Sequence, residues 1–327
     1  MRLVTCEKDG RKLVGVWIDG DRHIVDLALA ARLAGEADAA FTDMQNLIEG
    51  GERAWDSARR LAENPADEAV FETAVARLLS PLPRPVQVRD FLCFEDHLIN
   101  AFAAAIEVRA SIADDPAAKR AELEASGMFT VPKVWYERPI YYTSSSTTVC
   151  GTDTDVIWPA YSNLMDYELE FAAVIGKTGK NISHAEARDH IFGYTIFNDF
   201  SARDEQMIVM EGKLGPGKGK EFDNANVFGP CIVTADEIPD AYALAMRARV
   251  NGEQWSSGTS ASMHYRFEDL IAYTSRAQTL YAGEIFCSGT VGTGCGVELQ
   301  KFLKSGDVVE LDVENIGVLR NRVLREA

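Results

Sequence analysis

The chain has 327 residues, with 33 Lys+Arg against 50 Asp+Glu and a formal net charge of −17 at pH 7. So acidic a balance, with basic residues scattered instead of gathered in an arm or stripe, excludes nucleic acid as the expected partner. At 46% apolar and 25% charged, the composition excludes disorder and collagen; no apolar run nears the ~20 residues that span a bilayer, so no membrane partner is expected. The start, Met1-Arg2-Leu3-Val4, enters a strand-like stretch instead of a signal-peptide core, and a cytoplasmic location is expected.

In chain order, strand patterns alternate with Asp9-Gly10 and Asp19-Gly20 turns, predicting a small antiparallel meander over 3–7, 13–18 and 23–27. Alanine-rich stretches bearing Glu and Arg then predict helices over 28–35, 42–49 and 67–79. Ser80-Pro81-Leu82-Pro83-Arg84-Pro85 breaks any helix and reads as a stiff linker, so a small N-terminal domain, 1–83, is expected before a larger one, 84–327. Helical spacing returns over 96–112, and Asp115-Pro116 opens another helix that Gly127 closes. From Val131 onward short β-like runs dominate, at 141–150, 167–175, 194–197, 231–233, 244–250, 285–288 and 308–313. Helices interrupt them at the capping box Ser183-His184-Ala185-Glu186 and over 267–275. The six cysteines are far apart with no Cys-x-x-Cys, so reduced core thiols are expected and a zinc site is not.

The chemistry lies in the acids. In Asp166-Tyr167-Glu168-Leu169-Glu170 a period of two puts three carboxylates on one strand face. Alone, that alternation also describes an edge strand with a solvated acidic face. The run that follows, Phe171-Ala172-Ala173-Val174-Ile175, is continuously apolar, as in a strand covered on both sides. Clustered acids in such surroundings repel one another unless a cation sits among them. Asp90 and Asp199 stand at the ends of other segments, each an ordinary turn or cap residue by itself. Joined to Glu168 and Glu170 they would make an all-oxygen site suited to Mg²⁺, Ca²⁺ or Mn²⁺. Arg203, in a turn four residues past Asp199, reads equally as a pocket cation or as a structural ion-pair partner of Asp204 or another acid; Lys220 sits in what reads as a flexible basic loop, 213–220. His97 reads either as a helix-start cap or as a proton-transfer group.

These pieces, in order and spacing, resemble the fumarylacetoacetate hydrolase family. The resemblance rests on Arg89-Asp90-Phe91 with His97, Asp166-Tyr167-Glu168-Leu169-Glu170, Asn198-Asp199-Phe200-Ser201-Ala202-Arg203-Asp204, Gly219-Lys220-Glu221-Phe222 and Ser288-Gly289-Thr290. It implies an α+β, β-rich fold: a mixed β-sandwich/roll catalytic domain with a small N-terminal α+β domain. It also implies that Asp90, Glu168, Glu170 and Asp199 hold a divalent metal, that Lys220 is catalytic, that Arg203, Gln206, Tyr142 and Thr290 line the substrate pocket, and that the chain is a homodimer. In one branch of the family the histidine pairs with a glutamate three residues later, where this chain has Asn100. In the fumarylacetoacetase branch that partner comes from the C-terminal part, a position that Glu298 fits, so the resemblance implies a His97–Glu298 catalytic dyad.

The activity implied is a metal-dependent hydrolase of keto-acid catabolism that breaks a carbon–carbon bond in a small β-diketo acid of the acylpyruvate type. His97 would deprotonate water, and the leaving enolate would be stabilised by the metal, Lys220 and Arg203. The same machinery serves keto-acid lyases, hydratases and decarboxylases, and a non-catalytic binding protein is the remote alternative. Leu92 and Ser145 stand where fumarylacetoacetases carry tyrosine and arginine, which points away from fumarylacetoacetate itself. The segment 288–296 lacks the Gly-Lys-[Ser/Thr] ending of a phosphate loop and reads as a pocket-lining glycine loop.

Overall fold

The computed structural model describes residues 1–111 and 113–326. The Asp-Gly turns carry positive φ at Asp9, Gly10, Asp19 and Gly20, as tight hairpins require. They join β1 (Arg2–Lys8), β2 (Arg11–Ile18) and β3 (His23–Asp26) into the expected antiparallel meander. Helices Leu27–Leu33 and Met44–Glu49 follow as predicted, but the longer helix Gly51–Glu63 was not anticipated. Its buried stripe is Ala54, Ser57, Ala58 and Leu61, too weakly apolar to stand out beside its Arg and Glu residues.

The helix expected over 67–79 does not form. There the chain makes two 3₁₀ turns, a strand β4 (Val70–Glu72) against β3, and Arg77–Leu78 against β1. The unpaired strands offer ladder hydrogen bonds that outweigh alanine's helix preference.

Six further strands extend the same sheet: β5 (Gln87–Phe91), β6 (Tyr141–Ser144), β7 (Leu169–Ile175), β8 (Ile191–Asp199), β9 (Asn226–Thr234) and β10 (Glu284–Cys287). The order is β4-β3-β2-β1-β9-β8-β7-β10-β5-β6, antiparallel along this path except for the parallel pair β10–β5. The meander joins the rest through β1 and β9, where Leu3 faces Ile232. Ser80 and Leu82 of the proline stretch are buried, and Thr5 Oγ1 donates to the Pro81 carbonyl at 2.6 Å.

A second, five-stranded sheet comprises Val156–Trp158, Ala245–Val250, Glu253–Thr259, Val308–Val313 and Gly317–Arg325. It covers one face of the large sheet, with Met246, Ala248, Val309 and Leu311 in one core with Phe171, Ile196 and Val227. The N-terminal helices cover the other, where Leu47, Ile48, Ala54 and Ala58 share a core with Ala172, Val174, Phe197 and Phe228. Cover on both sides is why β7, β8 and β9 are buried along their whole lengths and read as apolar runs. The architecture is therefore α+β and strand-rich, as expected.

The helix predicted over 96–112 is Glu95–Ser111, with Ile112 outside the described residues. Asp115 caps helix Pro116–Ala125, and the Ser183 capping box and helix Phe267–Thr274 also form. All six cysteines are free and buried. Among the described residues no helix is long and apolar enough to cross a membrane.

Candidate active site

Strand register assembles the site. Thr195, Ala172, Cys287, Asp90 and Tyr142 are paired in a row across β8, β7, β10, β5 and β6, so they share one sheet face. Two positions along that face Glu170 pairs with Phe197, and Asp199 lies two residues beyond Phe197. Glu168 immediately precedes β7; its N–H donates to Asn198 Oδ1 at 3.1 Å, and its backbone bridges to Cys295. Asp90, Glu168, Glu170 and Asp199 are all buried, and one oxygen of each lies within 4.8 Å of the others. A solvated edge strand is thereby excluded.

Lys220 is not on a flexible loop. The 3₁₀ turn Gly217–Gly219 packs on helix Arg203–Met210 so closely that a Cβ on Gly219 would stand 2.5 Å from Gln206 Cα. That contact turns Lys220 inward, where its ammonium donates to Glu168 and Asp199. The Tyr142 hydroxyl also donates to Asp199. Glu170 accepts from Gly289 N at 3.0 Å and Thr290 Oγ1 at 3.3 Å. Asp90 Oδ1 and Asp199 Oδ1 remain buried without a hydrogen-bond partner. Two orphaned carboxylate oxygens within an all-oxygen donor set fit a hard divalent cation.

The electrostatics divide the cluster. Burial, reinforced by the neighbouring acids, pushes Asp90 and Glu170 well above the usual carboxylate range. Asp199 is raised too, because burial outweighs Lys220. Burial also pushes Glu168 upward, but Lys220, Arg203 and His97 overcome it and bring this group down to about 2. Lys220 and Arg203 are raised in turn, the surrounding acids outweighing their burial.

Arg203 opens helix Arg203–Met210. Its Nε donates to Asp166 Oδ2 at 2.8 Å and its Nη1 to Gln206 Oε1 at 2.9 Å, while Nη2 lies 2.7 Å from Glu168 Oε1 without hydrogen-bond geometry. The structural ion pair is thus formed, with Asp166, while Asp204 accepts from Ser162 Oγ and Asn163 N. Asp166 has a structural task that its sequence context does not reveal: besides Arg203 it accepts from Gly296 N at 2.7 Å and Val297 N at 3.0 Å, the first turn of helix Gly296–Leu299.

That short helix carries Glu298. Its Oε1 lies 2.7 Å from Nδ1 of His97, in the first turn of helix Glu95–Ser111. Its Oε2 accepts from Asn100 Nδ2 at 2.9 Å and Thr293 N at 2.7 Å, and Cys295 Sγ is 3.4 Å from Oε1. The His97–Glu298 contact that the resemblance implied is thus formed, and Cys295, bridged to Glu168, ties it to the acid cluster. Sequence reading missed the structural roles of Asp166, Asn100 and Cys295; only the spacing of Asn100, one helical turn after His97, gave any signal.

The family model for the C-terminal part of fumarylacetoacetate (FAA) hydrolase matches residues 111–324. The oxaloacetate tautomerase YisK of Bacillus subtilis (strain 168) is 33% identical over 336 residues, covering 99% of this chain and 100% of that one. The human mitochondrial oxaloacetate tautomerase FAHD2A is 39% identical over 195 residues, 59% of this chain and 60% of its own length. Among solved structures, a fumarylacetoacetate hydrolase from psychrophilic Exiguobacterium antarcticum aligns with TM-score 0.73 at 25% identity, with 100% of both chains covered. Maleylpyruvate hydrolase from Sphingobium sp. SYK-6, in complex with manganese(II) and pyruvate, aligns with TM-score 0.73 at 21% identity, again over 100% of both. On the matched residues and the full-length relative, an enzyme by its name, the chain belongs to the fumarylacetoacetate hydrolase family.

Proposed function

We propose that this protein is a divalent-metal-dependent enzyme that interconverts the keto and enol forms of a small β-keto diacid such as oxaloacetate. The observation that carries the reading is four buried carboxylates beside an imidazole paired with a glutamate. The activity of the full-length relative supplies the substrate class, and the manganese and pyruvate held by a protein of this fold are consistent with it. A cation held by Asp90, Glu168, Glu170 and Asp199 would supply Lewis-acid stabilisation of an enolate oxygen.

The chain's own residues do the rest. Glu298 accepts the Nδ1–H of His97, which leaves Nε2 as the base. Nε2 takes a proton from the carbon between the two carbonyls, and the C–H electron pair moves into the enolate double bond. The Nε2–H then returns a proton to oxygen, so only a C–H and an O–H bond exchange and no water is consumed. Lys220 and Arg203 oppose the developing negative charge, and Gln206, Tyr142 and Thr290 border the same cluster. The second reading is the hydrolase: the same Nε2 deprotonates water, which adds to a carbonyl and breaks the carbon–carbon bond. A carboxylate-oriented histidine favours it, because that pair suits water activation equally well.

The test follows the enol absorbance of oxaloacetate with Mg²⁺, with Mn²⁺ and after EDTA, beside an acylpyruvate panel with products identified. Acceleration that EDTA abolishes and metal restores is expected. Cleavage of acylpyruvates without any effect on oxaloacetate overturns the tautomerase reading in favour of the hydrolase. His97→Ala is expected to lower turnover roughly 10²–10⁴-fold while leaving the thermal shift caused by Mn²⁺ in place. We also propose a division near residue 83, from the proline-rich stretch there, and, from the family resemblance, a homodimer, the latter measurable by analytical ultracentrifugation.

A further inference from the structure

We propose that Asn100 is a positioning residue that fixes the carboxylate of Glu298 and, through it, the protonation form in which His97 works. This deepens the reading of His97 as the base and rests on it. Asn100 lies three residues after His97 on helix Glu95–Ser111, so one helix face presents the imidazole and the amide to the same glutamate. An ionised carboxylate accepts and never donates, so the amide must turn its NH₂ toward it, and Nδ2 stands 2.9 Å from Glu298 Oε2. Thr293 N donates to the same oxygen at 2.7 Å. With two donors, Oε2 is saturated, and Oε1 is left to His97 Nδ1 at 2.7 Å and the Cys295 thiol at 3.4 Å. The glutamate side chain is 1% exposed, so water does not replace a lost donor easily.

The consequence is directional. Without the amide, Oε2 keeps only the Thr293 N–H, so Glu298 is held less firmly and the Nδ1–H form of His97 is enforced less strictly. With an acid in place of the amide, a second negative charge stands beside Glu298 and holds the imidazolium to higher pH. The titratable groups that face His97 here are Glu298 and Cys295, with Glu168 acting on it through space.

The experiment compares Asn100→Asp and Asn100→Ala with the native chain, using the ligand-free NMR titration of His97 and the pH profile of kcat/KM for oxaloacetate. Asn100→Asp is expected to move the His97 titration and the acidic limb of the profile upward together. Asn100→Ala is expected to lower kcat roughly tenfold with KM held, about the effect of one hydrogen bond to a charged group. Unchanged titration and kcat in both folded variants overturn the proposal, and so does a loss of thermal stability with no movement of the titration, which marks a merely structural contact. If Asn100→Asp does not fold, Asn100→Ala alone decides through the same titration. If the titration moves but no form of the protein acts on oxaloacetate or an acylpyruvate, the proposed function falls and the positioning role stands.

Discussion

Glu168 and Glu170 are two residues apart, equally buried, and driven in opposite directions. Glu168 faces Lys220 and Arg203 and is held down near 2; Glu170 faces Asp90, the Gly289 N–H and the Thr290 hydroxyl and is pushed up. The cluster therefore has a side whose charge the protein neutralises itself and a side it leaves unbalanced. The difference shows where a cation would fit best: against Asp90 and Glu170 and the Lys220-bound Asp199, whose Oδ1, like that of Asp90, is orphaned. It also separates two jobs that the sequence places in one motif.

Removing one acid from the unbalanced side should produce the largest effect. Glu170→Gln is expected to reduce turnover about 10²-fold or more and to abolish the Mn²⁺ thermal shift. The same variant should raise the stability of the metal-free protein by about 1–3 kcal/mol, because a costly buried acid is gone. Equal destabilisation of both forms would dissolve the distinction between the sides. On the balanced side the sign reverses: Lys220→Met should cost about 3–5 kcal/mol in EDTA, since it strands Glu168 and Asp199, and Mn²⁺ should recover part of it. Chemical denaturation with and without metal measures both.

A smaller effect is the pH dependence of the metal-free protein. Asp90 and Glu170 have raised values, so the native state keeps protons that the unfolded chain releases; their contribution is full below about pH 4 and is lost as pH rises through the folded values. Glu168 has a lowered value, and its contribution is present above the ordinary glutamate range and lost as pH falls toward about 2. The gap in Tm between Mn²⁺ and EDTA should accordingly widen as pH rises above about 4; a gap that narrows would reverse the assignment of the two sides.

How much of this was legible varied with range. The strand alternation of 166–170 and the apolar run behind it announced buried acids, because two-sided cover leaves a local signature. Helix Gly51–Glu63 was hidden by its alanine stripe, and 67–79 was misread because partner strands lie far away in sequence. Lys220 looked mobile among glycines; what buries it is the contact of Gly219 with Gln206, which no local pattern encodes. The pairing of His97 with Glu298 spans 201 positions and came from resemblance, not spacing. Asp166 is indistinguishable in pattern from Glu168, yet its charge braces Arg203 and the turn that carries Glu298.

Asp90, Glu170 and Asp199 reach their meeting point by hydrogen-bonded ladder alignment, not by the shapes of loops. Sliding Leu169–Ile175 by a single residue would send Glu170 to the opposite face and put Leu169 in its place. The carboxylates that would hold an ion are thus set by the sheet, whereas His97, Glu298 and Lys220 are brought to them by helices and turns. An architecture divided this way would let one enolate chemistry be exchanged for another by altering what surrounds a fixed set of carboxylates.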